Sequence, residues 1–251
     1  ADLERDGNVV GEQDVAAAYP FERPESDYGS NNWAVSGSRT ASGKPILCND
    51  PHLGLNLPSI WFEIQLHTPG MSVYGASLPG APCVISGFND SIAWGITNAA
   101  MDVKDWYTIE FKDGSRNEYL FDGEWKKTTY VVEHFKVRGK EMHHDTILQT
   151  IHGPVAYDSK HQKGTETVNR ALRWTLHDPS KELLTFYYLN SGKNYQDYKE
   201  AISHFKCPGQ NFVFASAGGD IALHQQGKFV LRWPEQGRFV MDGTRSATLW
   251  P

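Results

Sequence analysis

Short apolar runs separated by turn residues dominate the chain between residues 30 and 175. Alternation of apolar and polar positions is clearest over residues 130–137, and such alternation predicts a half-buried β-strand. Clusters of turn residues, such as Thr68-Pro69-Gly70, separate the runs. Further strands are predicted at residues 46–47, 60–66, 72–74, 84–88, 92–96, 106–111 and 141–151. This part of the chain is therefore predicted to be mostly β.

Two helices are predicted after these strands. Pro179 is placed near the first turn of the first helix, where a missing backbone N–H costs nothing. Asn194 is predicted to cap the second helix, because asparagine oxygens accept hydrogen bonds from the first free N–H groups. The chain then returns to strands at residues 212–216 and 221–225, joined by the turn Gly218-Gly219-Asp220.

Composition and charge exclude several classes of protein. A formal net charge of -6 argues against a nucleic-acid partner. No run approaches the roughly 18 apolar residues of a membrane helix, and the acidic start of the chain lacks the apolar core of a signal peptide. Any export signal is expected upstream. Cys48, Cys83 and Cys207 are widely spaced and indicate neither a disulfide framework nor a zinc site.

The pattern changes abruptly at Gly29-Ser30. Residues 1–29 show no sustained period, and a β-like run starts at Asn31. A serine freed at this boundary would carry a nucleophilic hydroxyl and an α-amine with a pKa of roughly 7.7–8.0, which can act as its base. On these two residues alone, a Gly-Ser pair before a strand is more often a plain turn.

Two other candidate motifs have structural explanations. Ser203 and Lys206 fit an S-x-x-K pattern, but they close a predicted helix and the companion motifs are missing. His143 and His144 precede Asp145 on a predicted strand, where adjacent side chains face opposite sides. These histidines are therefore not expected to converge on one metal ion.

Four segments after the boundary carry a resemblance. They are Ser30-Asn31-Asn32-Trp33-Ala34-Val35, Asn49-Asp50-Pro51-His52-Leu53, Tyr74-Gly75-Ala76-Ser77-Leu78-Pro79-Gly80 and Ala93-Trp94-Gly95-Ile96-Thr97-Asn98. In this order they strongly resemble the penicillin acylase (penicillin amidase) family of N-terminal nucleophile hydrolases. The likeness resumes at Gln210-Asn211-Phe212 and extends to about Arg232.

The resemblance implies an α+β fold, a four-layer αββα sandwich of antiparallel sheets of which this chain supplies part. Residues 1–29 would be a spacer before an autocatalytic cleavage site at Gly29-Ser30, and residues 30–251 the N-terminal portion of the catalytic β-chain. The implied partner is an α-chain from the same precursor, and the implied location is the bacterial periplasm or the extracellular space. Neither a nucleic acid nor a membrane is expected as a partner.

The resemblance also implies catalytic roles. Ser30 would be the nucleophile, first in cutting the bond to Gly29 and then in attacking a substrate amide. The backbone N–H of Asn98 and the side-chain amide of Asn211 would stabilise the oxyanion. His52 would orient the Ser30 amine or tune its basicity. Arg232 matches an arginine near the rim of the active site.

A structural calcium ion is a further implication, although the chemistry itself needs no cofactor. The carboxylates of Asp102 and Asp105 and the carbonyl of Lys104 are hard oxygen ligands of the kind that calcium takes, and Asp220 could contribute. The α-chain ligand expected by resemblance is not in this sequence.

Three positions match the acyl pocket of the family: Leu53, Ser86 and Ile96. Penicillin G acylases carry phenylalanines where this chain has Leu53 and Ser86, so much of the aromatic surface for a phenyl group is gone. His52 replaces their glutamine and resembles cephalosporin and acyl-homoserine-lactone acylases. The expected substrate is therefore an N-acylated small molecule, such as a β-lactam or an acyl-homoserine lactone, with an aliphatic acyl group as an alternative to phenylacetyl.

Two other interpretations remain open at this point. The first is a catalytically silent relative, or an unprocessed fragment, that serves as a binding or structural module. The second is a β-rich ligand-binding protein unrelated to the family. Detection of a new N-terminus at Ser30 would separate the enzyme from both.

Overall fold

The computed structural model describes residues 29–54, 57–157 and 169–251. One compact unit contains residues 29–105, 174–236 and 250–251, and a second contains residues 106–173 and 237–249. The predicted spacer lies outside the described residues, apart from Gly29. No helix in the described ranges is long and apolar enough to cross a membrane.

Strands predominate in the described ranges. In chain order they are β1 (Gly29–Val35), β2 (Ile46–His52), β3 (Phe62–Thr68), β4 (Met71–Ser77), β5 (Ser86–Asn89), β6 (Ile92–Asn98), β7 (Lys104–Thr108), β8 (Glu118–Phe121), β9 (Glu124–Lys127), β10 (Thr129–Phe135), β11 (His143–Thr150), β12 (Gly153–Tyr157), β13 (Arg170–Trp174), β14 (Gln210–Ser216), β15 (Ile221–Gln226) and β16 (Met241–Asp242). The two helices are α1 (Glu182–Ser191) and α2 (Tyr195–Ser203).

The first unit is built on a six-stranded antiparallel sheet with the order β15-β14-β6-β5-β4-β3. Its central strands are buried, and one apolar core joins them to both helices. Trp94 and Phe212 on the sheet are fully buried with Leu189 of α1 and Ile202 of α2. The helices thus cover one face of the sheet.

The hairpin β1–β2 belongs to the same unit. Its strands pair antiparallel with Ser30 opposite Pro51 and Gly29 opposite His52. Burial alternates along β1, so Ser30 and Asn32 are half-buried while their neighbours are exposed. The Asn32 Nδ2 donates a hydrogen bond of 3.1 Å to the Asn211 carbonyl, which ties the hairpin to β14.

The second unit contains most of another six-stranded sheet, ordered β10-β11-β12-β13-β7-β16, and the separate hairpin β8–β9. Its core gathers aromatic and aliphatic side chains, among them Tyr107, Tyr119 and Phe121. The hairpin turns at Asp122-Gly123, where both residues have positive φ (51° and 78°), as a type I′ turn requires.

The predicted helices are both present, and the second is capped as expected. Asn194 caps α2 by accepting a 2.9 Å hydrogen bond from the Asp197 N–H. The first helix begins at Glu182, three residues after Pro179, and has no side-chain cap. The Glu182 carboxylate instead accepts from the N–H groups of Lys206 and Cys207, at 3.3 and 3.2 Å, and this distant contact anchors the start of α1.

Candidate active site

Ser30 is the second residue of β1. Its Oγ donates a 2.5 Å hydrogen bond to the carbonyl oxygen of Gly29. The hydroxyl therefore already lies beside the peptide group that it is predicted to attack. Burial alternates along β1, so the Ser30 side chain lies on the half-buried face of the hairpin. Asn32 and its register partner Asn49 lie on the same face.

His52 ends β2 and is the register partner of Gly29. Its Nε2 lies 2.7 Å from the Asp50 Oδ2, and both side chains are about half exposed. Residues two apart on a strand share a face, and this face is opposite to the one that carries the Ser30 hydroxyl. His52 is thus beside the backbone of the predicted cleavage point, with its ring held by Asp50 rather than by Ser30.

Asn98 lies at the end of β6, and its backbone N–H points away from β14. Ala99 N–H donates to the Gly209 carbonyl at 3.0 Å, so these two residues form a hydrogen-bonded pair of the antiparallel ladder. Bonded and non-bonded pairs alternate, which makes Asn98 and Gln210 a non-bonded pair. The Asn98 N–H is therefore not consumed by the ladder to β14, as an oxyanion donor requires.

Asn211 faces Thr97 across the same ladder. Its Nδ2 donates to Thr97 Oγ1 at 3.2 Å and to the Asn98 carbonyl at 3.3 Å. The structure therefore brings the two predicted oxyanion residues into direct contact. These bonds hold the Asn211 amide, which would have to release one of them to donate to an oxyanion.

Arg232 makes a buried ion pair. Its Nη1 lies 2.5 Å from the Asp105 Oδ2, and its Nη2 lies 3.1 Å from the Asp102 Oδ1. Asp105 is 2% exposed and also accepts a 2.5 Å hydrogen bond from the Trp250 indole. Arg232 thus binds two of the predicted calcium ligands, a contact that the sequence did not indicate.

The predicted calcium ligands do not by themselves form a site for a metal ion. A guanidinium occupies the carboxylates of Asp102 and Asp105, and a second cation beside it would be repelled. Among the described residues, no group of three or more His, Cys, Asp or Glu side chains could hold a metal ion. Calcium therefore stays a prediction that needs ligands from outside these residues.

The adjacent histidines of β11 diverge, as their strand positions predict. His144 faces His134 across the strand pair, with their Nδ1 atoms 2.5 Å apart, whereas the His143 ring lies 6.2 Å from that of Phe135.

The three predicted pocket residues have different surroundings. Leu53 is exposed, and Ile96 packs against the core on the helix-covered face of the sheet. Ser86 Oγ donates a 2.9 Å hydrogen bond to Asn49 Oδ1. A cleft of about 380 Å³ opens at the other end of these strands, beside Leu47 and Ala215, and none of the three residues lines it.

Sequence reasoning missed two polar residues in this region, Asn49 and Asp50. Both lie in the quoted segment Asn49-Asp50-Pro51-His52-Leu53, but only as part of a resemblance. The predicted strand covered only residues 46–47, whereas β2 extends to His52, so no sequence signal indicated partners for these two polar side chains.

Comparisons with known proteins identify the family. The sequence model of the penicillin amidase family matches residues 2–251, so the chain belongs to this family. It is 30% identical to acyl-homoserine lactone acylase QuiP of Pseudomonas aeruginosa, over 99% of this chain and 32% of that protein. It is 35% identical to penicillin acylase 2 proenzyme of Pseudomonas sp. strain SE83, over 51% of this chain and 16% of that protein.

A solved structure supports the same family. The thermostable penicillin G acylase from Alcaligenes faecalis matches with a TM-score of 0.74 and 25% identity, covering 87% of this chain and 39% of that chain. The α+β class expected of an N-terminal nucleophile hydrolase is confirmed. The chain spans about a quarter to a third of the length of the relatives that it matches over most of its own length.

Proposed function

We propose that the protein containing this chain is a self-processing acylase, a hydrolase of linear amides. In this proposal Ser30 first cuts its own bond to Gly29 and then attacks an N-acylated small molecule. The observation that carries the proposal is the 2.5 Å hydrogen bond from Ser30 Oγ to the Gly29 carbonyl oxygen. Membership of the penicillin amidase family and its acylase relatives support it.

Self-cleavage would proceed by an N-to-O acyl shift. Ser30 Oγ attacks the Gly29 carbonyl carbon, its proton passes to the amide nitrogen, and the C–N bond breaks. The result is an ester at Oγ and a free α-amine. Water then hydrolyses the ester, which leaves a carboxylate on Gly29 and Ser30 as a new N-terminus. His52, opposite Gly29 in the register, lies beside this bond.

Substrate hydrolysis would use the freed amine as the base. At a pKa of roughly 7.7–8.0, an α-amine can take the Ser30 hydroxyl proton and pass it to the leaving amine. The Asn98 N–H and the Asn211 amide would stabilise the oxyanion. Water would then release the acyl group from Ser30.

The substrate would be an acyl amide with an aliphatic acyl group. The relatives named as acyl-homoserine lactone acylases support this choice, as do the non-aromatic residues Leu53 and Ser86. An α-chain from the same precursor, which the resemblance implies, would complete the pocket. An exported location belongs to the same proposal.

The test is the mass of the complete gene product, followed over time after purification. A new N-terminus at Ser30 is expected in the native protein, together with hydrolysis of acyl-homoserine lactones that carry an aliphatic acyl group. Ser30→Ala should abolish both reactions, whereas Ser38→Ala, in the turn between β1 and β2, should change neither. If the native chain stays intact and hydrolyses no acyl amide, the protein is a silent binding module instead.

A further inference from the structure

The side-chain amide of Asn49 joins three strands at the candidate site. Its Nδ2 donates to the carbonyl oxygens of Ile96 and Asn31, at 3.0 and 3.2 Å. Its Oδ1 accepts from Ser86 Oγ at 2.9 Å and from the Ile96 N–H at 3.3 Å. One half-buried side chain thus contacts β1, β5 and β6.

Asn49 takes the place of a missing strand partner. β5 begins at Ser86, and its pairing with β6 ends at Gly87 and Trp94. Among the described residues, Ile96 therefore has no strand partner on the edge of β6 that faces β5. Without Asn49, the N–H and C=O of Ile96 would lack a partner at this edge, and unpaired backbone groups are costly when they are shielded from water. The carboxamide supplies one acceptor and one donor, as a neighbouring strand would.

Gly95 makes this contact possible. A Cβ built at Gly95 would lie 2.6 Å from the Asn49 Cβ and 2.9 Å from its Oδ1, distances that no real side chain tolerates. The bare Cα lets the hairpin approach β6 closely. An alanine at this position would have to push Asn49 away.

We propose that Asn49 is a positioning residue that sets the nucleophile against the oxyanion donor. It holds the carbonyl of Asn31, the residue after Ser30, and the backbone of Ile96, two residues before Asn98. Positions two apart on a strand present their N–H groups to the same edge, so Asn49 fixes the edge from which the Asn98 N–H emerges. This inference rests on the proposed function of Ser30 and Asn98.

The role requires a carboxamide. Aspartate has the same shape and keeps the acceptor, but it cannot donate to the two carbonyl oxygens and would place a negative charge beside them. The hairpin is expected to shift away from β6, and a misplacement of about 1 Å can cost on the order of 100-fold in rate.

The experiment compares Asn49→Asp with Asn89→Asp in the complete gene product. Asn89 is a matched control: it is also half-buried on the same sheet, and its Nδ2 donates to the carbonyls of Asn190 and Gly192, at 3.1 and 2.9 Å. Asn89 therefore binds the end of α1 and the residue that follows this helix, not the hairpin β1–β2. Both variants are measured for self-cleavage rate, kcat, KM and the midpoint of thermal unfolding.

We expect Asn49→Asp to slow self-cleavage and to lower kcat by about 100-fold with little change in KM. Asn89→Asp should lose thermal stability but keep its kcat below the unfolding transition. Equal kcat values in the two folded variants would overturn the positioning role and leave the acylase intact. A native protein that neither cuts itself nor hydrolyses amides would instead refute the proposed function.

Ser86→Ala keeps the test decisive if Asn49→Asp does not fold. It removes only the 2.9 Å bond to Asn49 Oδ1. Self-cleavage does not use the acyl pocket, to which Ser86 is matched, and is therefore the readout for this variant. We expect self-cleavage to slow several-fold with the unfolding midpoint nearly unchanged; an unchanged rate of self-cleavage would again overturn the role of Asn49.

Discussion

Two residues that differ in chemistry flank the candidate cleavage point. The Ser30 hydroxyl reaches back to the Gly29 carbonyl, while the His52 ring opposite Gly29 is bound by Asp50. A carboxylate beside a histidine fixes the orientation of the ring and determines which ring nitrogen carries a proton. Any action of His52 on the Ser30 amine is therefore expected to depend on Asp50.

We predict that Asp50→Asn lowers kcat/KM for an acyl amide by up to about fivefold. An exposed ion pair contributes about 0.2–1 kcal/mol, and 1.36 kcal/mol corresponds to a factor of ten. This range applies because both side chains are about half exposed. Asp90→Asn, at the turn between β5 and β6, is the control and should leave kcat/KM unchanged. A loss of activity in both variants would contradict a specific role for Asp50.

At the residue scale, the sequence could predict the chemical roles of single residues but not the contacts that their side chains make. Ser30, His52 and Asn211 followed from a resemblance to a family. The Asn49 contacts could not be predicted, because its acceptor Ile96 is 47 residues away and meets it only through the close approach at Gly95. The capture of Asp105 by Arg232, 127 residues apart, could not be predicted for the same reason.

At the scale of elements, an ion pair secures the segment that follows β6. Asp105 lies on β7 and is almost fully buried, and the Arg232 side chain is only 15% exposed. Removing one partner of a buried pair leaves the other charge without compensation. Surface pairs behave differently, since water and long side chains reduce their net contribution.

We predict that Asp105→Asn destabilises the first unit by about 3 kcal/mol, because the buried guanidinium loses its buried counterion and keeps only the exposed Asp102. Glu118→Gln is an isosteric control at the exposed pair with Lys112, where the nitrogen and oxygen are 2.6 Å apart. It should cost less than about 1 kcal/mol. Hydrogen exchange of peptides around each substitution measures the two losses. Similar losses would show that burial does not distinguish the two pairs.

Strands with strong alternation were predictable, and short ones were less so. The runs at residues 92–96 and 130–137 became β6 and β10. The hairpin β8–β9 was missed, although Asp122-Gly123 is a strong turn signal, because its strands have only four residues each. The contact of Glu182 with Lys206 and Cys207 could not be predicted, because these residues are remote in sequence from the start of α1.

At the scale of the whole molecule, a buried titratable group in the second unit predicts a loss of its stability in acid. Among the described residues, His152 of the second unit is a fully buried histidine. Its ring stacks on Tyr107 with a centroid distance of 4.2 Å, and its Nε2 lies 2.9 Å from the Gly243 carbonyl oxygen. A carbonyl only accepts, so Nε2 carries the proton and Nδ1 is the atom that would be protonated in acid.

Burial lowers the pKa of His152 below its ordinary value of 6.5, and the nearby Arg173 lowers it further, against opposing effects of Gly243 and Asp242. The unfolded chain therefore binds a proton at higher pH than the folded unit does. The stability due to neutral His152 is complete above pH 6.5. It is lost as the pH falls from there to the folded pKa, with a slope of at most about 1.4 kcal/mol per pH unit for one proton.

We predict that hydrogen exchange in the core of the second unit quickens as the pH falls below 6.5, after correction for intrinsic exchange rates. The carboxylates of Asp122 and Asp242 have lowered pKa values, chiefly through hydrogen bonds from Ser246 and Thr244. The stability that these carboxylates contribute is therefore lost only at lower pH, below about pH 4. His152→Phe should remove the dependence above pH 5 whatever its effect on absolute stability, because phenylalanine does not titrate. His143→Gln, at an exposed position of the same unit, should retain it. A dependence that persists in His152→Phe would assign the acid response to another group.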